Sequence, residues 1–388
     1  MKPVSNEQRD HNSGCLQVVL VSPTKPPMGG IERFAEDLLA SKLAEEYHFH
    51  LFRTNIPTEL RPRHSTVKFT WNILKRDGVM GAARSMVFVF KQFRELGRLL
   101  RTKRFTVMHV LSTGGYGFFR NAVHILIARR QGVRTVFHLL GQIDLLYMNA
   151  GPWLKRVIRY CLDLADIHIV QSPGLSDFVR PLTRRSVVSI VNGVHAHLFH
   201  QPEGFAHGDH GVQVVILGTL GFKKGTFDLL EATARIKPTV PGLRFVFMGG
   251  GQVDFFKGLA EEKGVSDTVR FLGPVDDQVR IEVLKKSDIF ALPSHAEGQP
   301  IAILEAMASG LPIVSTTVGA IPEVVREANG FVIAPGDVAA LVQRLTHLAQ
   351  NPELRAAMGR HNALEAIEKY SLKRVMKQIG EVYTELNR

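Results

Sequence analysis

A chain of 388 residues with 45% hydrophobic side chains is long enough for two packed cores, and its net charge of +12 makes it strongly basic. Two cysteines, Cys15 and Cys161, exclude a disulfide framework or a cysteine metal cluster and fit a reducing cytosol. No window reaches the run of about 18 apolar residues that a membrane span needs. The first fourteen residues are polar, without the apolar core of a signal peptide, so a soluble or peripheral protein is expected. The charge is uneven, with a balance of +14 in residues 1–200 and −2 in the remainder. An anionic partner is therefore expected to meet the first half, the candidates being a membrane, a phosphorylated acceptor or nucleic acid.

Both halves alternate strand-length apolar runs with helical stretches, the pattern of parallel sheets with right-handed crossovers. The first strand is expected at Leu16–Ser22, followed by a loop over Pro23–Gly30 and a helix from Ile31 to about Glu46. In that loop Gly29 and Gly30 let backbone N–H groups approach an anion at a helix N-terminus. A Gly-Gly pair also makes a tight bend with no ligand, and it does not match the G-x-G-x-x-G fingerprint. Further strands are expected at His48–Arg53, Thr106–Leu111, Arg134–Leu139, Ile167–Gln171 and Val187–Val191. Helices fill Gly81–Thr102, Gly117–Gln131 and Trp153–Leu164.

Within Arg84–Arg101, a rotation of 100° per residue puts Arg84, Lys91, Arg94, Arg98 and Arg101 on one face. Phe88, Val89, Phe93, Leu96, Leu99 and Leu100 fall on the other. A domain helix with its charges in water explains this pattern, and so does contact with anionic lipid. His138 ends a strand, where a histidine can bond a substrate hydroxyl or a backbone carbonyl. Asn192-Gly193-Val194 reads as a turn. No H-E-x-x-H pattern and no G-x-S-x-G elbow occurs, so no metal site and no serine nucleophile is expected.

Residues 201–211 are polar and aperiodic, a linker. Strands then restart at Val212–Gly218, Leu243–Met248, Val269–Leu272, Ile289–Pro293, Pro312–Thr316 and Gly330–Ile333. The end is helical over Asp337–Gln350, Pro352–Lys369 and Leu372–Asn387. After the first of these strands, Gly218-Thr219-Leu220-Gly-Phe-Lys223-Lys224-Gly225 sets two lysines beside a helix start, which suits a diphosphate or merely a solvated loop.

The most informative stretch is Ser294-His-Ala-Glu297-Gly298-Gln299-Pro300-Ile301-Ala-Ile-Leu-Glu305. Pro300 fits the first helical position, where a missing N–H costs nothing. Glu297 then lies in the preceding loop and Glu305 in the second helical turn. N–H groups near Pro300 form an anion site between two carboxylates able to bind sugar hydroxyls. Strands on either side put this loop at the carboxyl edge of a parallel sheet, where open α/β folds bind ligands.

Together these motifs resemble the retaining glycosyltransferases of the group-one, or family-four, type with the GT-B fold. The likeness covers nearly the whole chain and also includes Met248–Gly251, Phe271–Gly273, Asp288–Ser294 and Val318–Glu323. It implies an α/β protein of two Rossmann-like, doubly wound parallel-sheet domains facing across a cleft. The acceptor domain would span 1–200 and the nucleotide-sugar domain 212–371, with the helix 372–387 packing back on the first. Glu305 would bind the ribose, and Glu297 would face the donor sugar. Backbone N–H groups of Gly298–Ile301 would lie near sugar and phosphate, and Lys224 would neutralise the diphosphate. Gly29 and Gly30 would approach from the other domain, and His138 would contact the transferred sugar. The family commonly has Arg where Thr219 stands; Lys223 is a cation close enough to compensate.

The expected reaction moves a hexose-type sugar from a nucleotide-diphosphate donor to an acceptor hydroxyl, with retention and without metal or cofactor. A lipid-linked or surface-polysaccharide precursor is the expected acceptor, and the cytoplasm or the inner membrane face the expected location. The alternatives are a nucleotide-sugar epimerase and a catalytically impaired nucleotide-sugar-binding protein. Nucleic acid ranks last, because only the pI favours it.

Overall fold

The computed structural model describes residues 16–24, 30–55, 69–112, 114–199 and 211–388, with side chains from 86 onward in the helix that begins at 69. Gly29 and most of the linker, 201–210, lie outside the described residues. Two sheets of six strands form the framework. The first contains β1 (Gln17–Ser22), β2 (His48–Arg53), β3 (Val107–Ser112), β4 (Arg134–Leu139), β5 (Ile167–Val170) and β6 (Ser186–Ser189). Its order is β2-β1-β3-β4-β5-β6, with every pair parallel. The second contains β7 (Gln213–Leu217), β8 (Arg244–Met248), β9 (Val269–Gly273), β10 (Ile289–Leu292), β11 (Ile313–Thr316) and β12 (Gly330–Ile333). It runs β12-β11-β10-β7-β8-β9, again all parallel.

Strands such as Val18–Val21 and Ile289–Leu292 are buried throughout because helices cover both faces of each sheet, which removes the inside–outside alternation. All twelve expected strands are present, with ends shifted by no more than two residues.

Helices depart further from expectation. The stretch expected to run from Ile31 to Glu46 is two helices, Gly30–Ala40 and Leu43–Glu46. Ser41 breaks them, its hydroxyl turning back onto the Leu38 carbonyl at 2.7 Å. The long helix begins at Phe69 rather than Gly81 and continues to Thr102, so Gly78 and Gly81 sit inside it. An interior glycine costs about 1 kcal/mol relative to alanine, a penalty that weakens a helix without ending it. Pro173–Val179 and Ile143–Met148 are short helices that the periodicity did not reveal.

The chain divides into two compact units, 1–170 with 176–189 and 376–388, and 171–175 with 190–375. The division therefore falls at 190 rather than 200, and Gln171–Leu175 joins the second unit. The closing helix Leu372–Leu386 is shared, its residues from Met376 onward belonging to the first unit.

In the first unit four histidines, His109, His124, His138 and His168, are buried. Burial lowers His109 and His124 to about 3 and His168 to about 4, and holds His138 well below 6.5. Each is neutral in the fold, whereas the unfolded chain takes up protons below pH 6.5. Stability is thus fully present above that pH and falls as pH drops, by about 1.4 kcal/mol per pH unit for each histidine. Urea unfolding at pH 7.0 and 5.5 is expected to show a clear loss at the lower pH, and histidine-to-glutamine variants at these sites should flatten the profile.

Candidate active site

In the second sheet the order reverses between β7 and β10, the switch point at whose carboxyl ends open α/β sheets bind ligands. Two loops meet there. One follows β7 and carries Gly218–Gly225; the other follows β10 and carries Ser294–Pro300. They are joined by Lys224, whose Nζ lies 2.6 Å from Glu297 Oε1, and the Ser294 hydroxyl donates to the same oxygen at 2.8 Å. Glu297 retains 8% of its side-chain exposure and Lys224 25%, so the pair sits half-hidden at the sheet edge.

Backbone packs closely around both loops. Gly225 turns with φ +67°, and a Cβ there would fall 1.9 Å from the Pro293 carbonyl oxygen. Gly319 has φ +57°, and a Cβ would meet the Glu297 carbonyl at 2.4 Å. Only glycine fits either position. His295 N–H donates to the Lys223 carbonyl at 2.9 Å. Its ring stacks on Phe222, with centroids 4.4 Å apart, and its Nε2 contacts Asp228 at 2.6 Å.

Pro300 is the cap residue, one position earlier than expected, and the helix is Ile301–Ala308. Its carbonyl accepts from Ile303 N–H at 3.1 Å. Ala320 N–H donates to the Gly298 carbonyl at 2.9 Å. The Gln299 side chain is turned inward: its Oε1 accepts from Asn192 N–H at 2.5 Å, and Asn192 Nδ2 donates to the Gln299 carbonyl at 3.0 Å. Asn192, read as a turn residue, is therefore a clamp on the loop, and the Gln299 side chain is turned to that clamp. Thr219 and Lys223 are exposed.

Glu305 lies in the second turn as expected and is buried. Its Oε2 is 3.3 Å from Nε of Arg280, a buried arginine in the helix Asp277–Lys285 whose Nη1 also reaches Asp277 at 2.7 Å. Arg280 was missed from sequence because it occupies a helix face beside apolar residues with no motif to mark it. Its burial alone is the signal, since arginine is rarely hidden without a carboxylate partner.

The remaining expected residues belong to the first unit. Gly30 opens the helix Gly30–Ala40 and is exposed. His138, next to last in β4, is not exposed at the sheet edge: it is 1% accessible, set edge-on against Phe34 and bonded through Nδ1 to His109 Nε2 at 3.2 Å.

Comparison with known proteins shows which family this sheet edge resembles. Residues 201–364 match the family described as glycosyl transferases group 1. The second unit thus carries the match to the group 1 glycosyltransferases. Among curated relatives, the D-inositol 3-phosphate glycosyltransferase of Saccharomonospora viridis is 34% identical over 259 residues, covering 64% of this chain and 57% of that protein. Sucrose-phosphate synthase from Thermosynechococcus elongatus superposes with a TM-score of 0.74 at 18% identity, covering 96% of this chain and 99% of that one. The Anabaena protein HepE, solved with UDP-glucose, gives 0.71 at 17% identity over 95% of this chain and 100% of that one. The chain thus shares the fold of these solved proteins along nearly its whole length.

Replacing one partner of the Arg280–Glu305 pair leaves a buried charge uncompensated. Arg280→Leu is expected to lose about 3–5 kcal/mol in urea unfolding. Arg280→Leu combined with Glu305→Gln should recover most of that loss; additive losses would show that the two side chains do not depend on each other.

Proposed function

We propose that this protein moves a hexose-type sugar from a nucleotide-diphosphate donor to an acceptor hydroxyl with retained anomeric configuration. The observation that carries the reading is Lys224 bound to Glu297 at the switch point, one loop away from the start of Ile301–Ala308. A departing diphosphate needs positive charge in the transition state, and Lys224, Lys223 and the helix N-terminus supply it in this reading. Donor binding then exchanges the Glu297 contact of Lys224 for phosphate oxygens, leaving Glu297 for the sugar. Glu305, held by Arg280, takes the ribose hydroxyls. The leaving phosphate accepts the acceptor's proton, and no metal takes part.

Retention rests on the resemblance to group-one enzymes, and a UDP-sugar is favoured as donor by HepE with its UDP-glucose. A screen of UDP-, GDP- and ADP-sugars should find one donor that raises the melting temperature. With that donor, turnover should persist in chelator and the product should keep the donor's anomeric configuration. Lys224→Ala should lower kcat by about 10²-fold or more. A donor-independent melting curve, or an inverted product, would contradict the reading.

The acceptor in this reading is a lipid-linked or surface-polysaccharide precursor, met by a cytoplasmic enzyme resting on the inner membrane face. What supports it is the helical layer on the first sheet. Phe69–Thr102 packs on Tyr116–Arg130, which packs on Pro152–Asp163. Exposed on this layer are Met86, Val87, Phe90, Trp153 and Tyr160, among Lys91, Arg94, Arg98, Arg129, Arg130, Arg156 and Arg159. As expected, Val89, Leu96 and Leu100 face the core. Aromatic side chains among cations suit a headgroup region. Flotation with anionic vesicles should exceed that with neutral ones and fall with salt; equal binding to both would remove the membrane from the account. No helix among the described residues is long and apolar enough to cross a membrane.

A further inference from the structure

Both lysines of the loop after β7 stand on one short turn, Phe222–Lys224, and a single side chain from the facing loop grips that turn from both ends. The turn closes on itself through hydrogen bonds. Gly221 N–H donates to the Thr226 hydroxyl at 2.9 Å, and the Lys224 and Gly225 N–H groups donate to the Gly221 and Phe222 carbonyls at 3.2 and 2.9 Å. The Lys224 stem lies along Gly218, where a Cβ would fall 3.2 Å from its Cε. Phe222 is 65% exposed, so burial of its own ring does little to hold the turn in place.

His295 supplies what burial does not. Its backbone N–H reaches the Lys223 carbonyl, its ring lies over the Phe222 ring at an inclination of only 19°, and its Nε2 reaches Asp228 Oδ2 at 2.6 Å. Asp228 lies in the first turn of the helix Thr226–Ile236, where the dipole favours a negative carboxylate. A carboxylate oxygen only accepts, so Nε2 carries the hydrogen and the bond is charge-assisted. The imidazole thus spans from Phe222, just before the lysines, to Asp228, just beyond them. His295 also stands on the loop that carries Glu297, so the segment that pairs with the Lys224 ammonium grips the Lys224 backbone turn as well.

We propose that His295 is a positioning residue that braces the lysine turn and keeps Lys223 and Lys224 set for the diphosphate of a nucleoside diphosphate. Phe222 and Asp228 are the two anchors of that brace. None of its contacts uses the Lys224 ammonium, so the brace stays in place when that ammonium leaves Glu297 for phosphate. The phosphate assignment rests on the proposed glycosyl transfer; the bracing does not.

Amide hydrogen exchange of the unliganded full-length protein reads the brace without any ligand. In His295→Ala the Lys224 and Gly225 amides, bonded inside the turn, should exchange roughly tenfold faster than in the wild type, the scale of one hydrogen bond, while amides of the helix Ile301–Ala308 keep their rates. Calorimetric titration with UDP, GDP and ADP and with the matching monophosphates reads the consequence. The diphosphate that the wild type binds should lose roughly tenfold in affinity, whereas its monophosphate is unaffected. Phe222→Ala removes an exposed ring, keeps the fold, and should reproduce both effects; it carries the comparison alone should His295→Ala fail to fold. The double variant should be no worse than His295→Ala, because both substitutions cut one brace. Exchange that rises throughout the unit, or nowhere, overturns the proposal, as do additive losses in the double variant. Equal loss of diphosphate and monophosphate overturns the setting of the lysines for the diphosphate. If the wild type binds no diphosphate more tightly than its monophosphate, the proposed transfer loses its phosphate contact, while the exchange rates still decide the brace.

Discussion

One ion pair organises the second unit: Lys224 on Glu297, across the point where the sheet changes direction. Each partner stands on a loop whose path leaves no slack, one pinned by Gly225 against the end of β10 and the other by Gly319 beneath the Glu297 carbonyl. The pair is therefore set by backbone geometry before any ligand arrives. In the proposed function this placement makes it a rehearsal for donor binding, in which an anionic phosphate replaces the carboxylate beside the ammonium. Preorganised charge of this sort costs no rearrangement at the moment of reaction. Arg280 extends the same logic one step inward, facing Glu305 across a buried contact of 3.3 Å.

The framework was legible because parallel strands covered on both faces leave unbroken apolar runs, and all twelve stood out at close to their observed ends. Helix limits were less legible, for local reasons. Ser41 ends a helix through a side-chain bond that periodicity does not register, and Gly78 and Gly81 look like breakers yet lie inside a helix whose length absorbs their cost. The division between units was placed at the polar linker, whereas the chain already enters the second unit at Ile190. Composition marks polar connectors, and it is blind to where packing changes hands.

Site residues divide in the same way. The places of Glu297 and Lys224 on loops at strand ends, and of Glu305 in the helix that follows, could be read from spacing. Partners drawn from distant segments could not: Asn192 clamps Gln299 across 107 positions, and Tyr383 reaches His109 across 274. His138 was picked out by its place at a strand end, which said nothing of its burial or of the two side chains behind it. The first unit thus combines a buried polar chain inside with a basic, aromatic helical layer outside.

A crystal structure of the protein soaked with the donor that most raises its melting temperature tests the central claim most directly. The account predicts the diphosphate within hydrogen-bond distance of Lys224 Nζ and of the first N–H groups of Ile301–Ala308, with the Lys224–Glu297 contact opened and Glu305 on the ribose. A donor bound with Lys224 still closed on Glu297, or with its ribose away from Glu305, would contradict it.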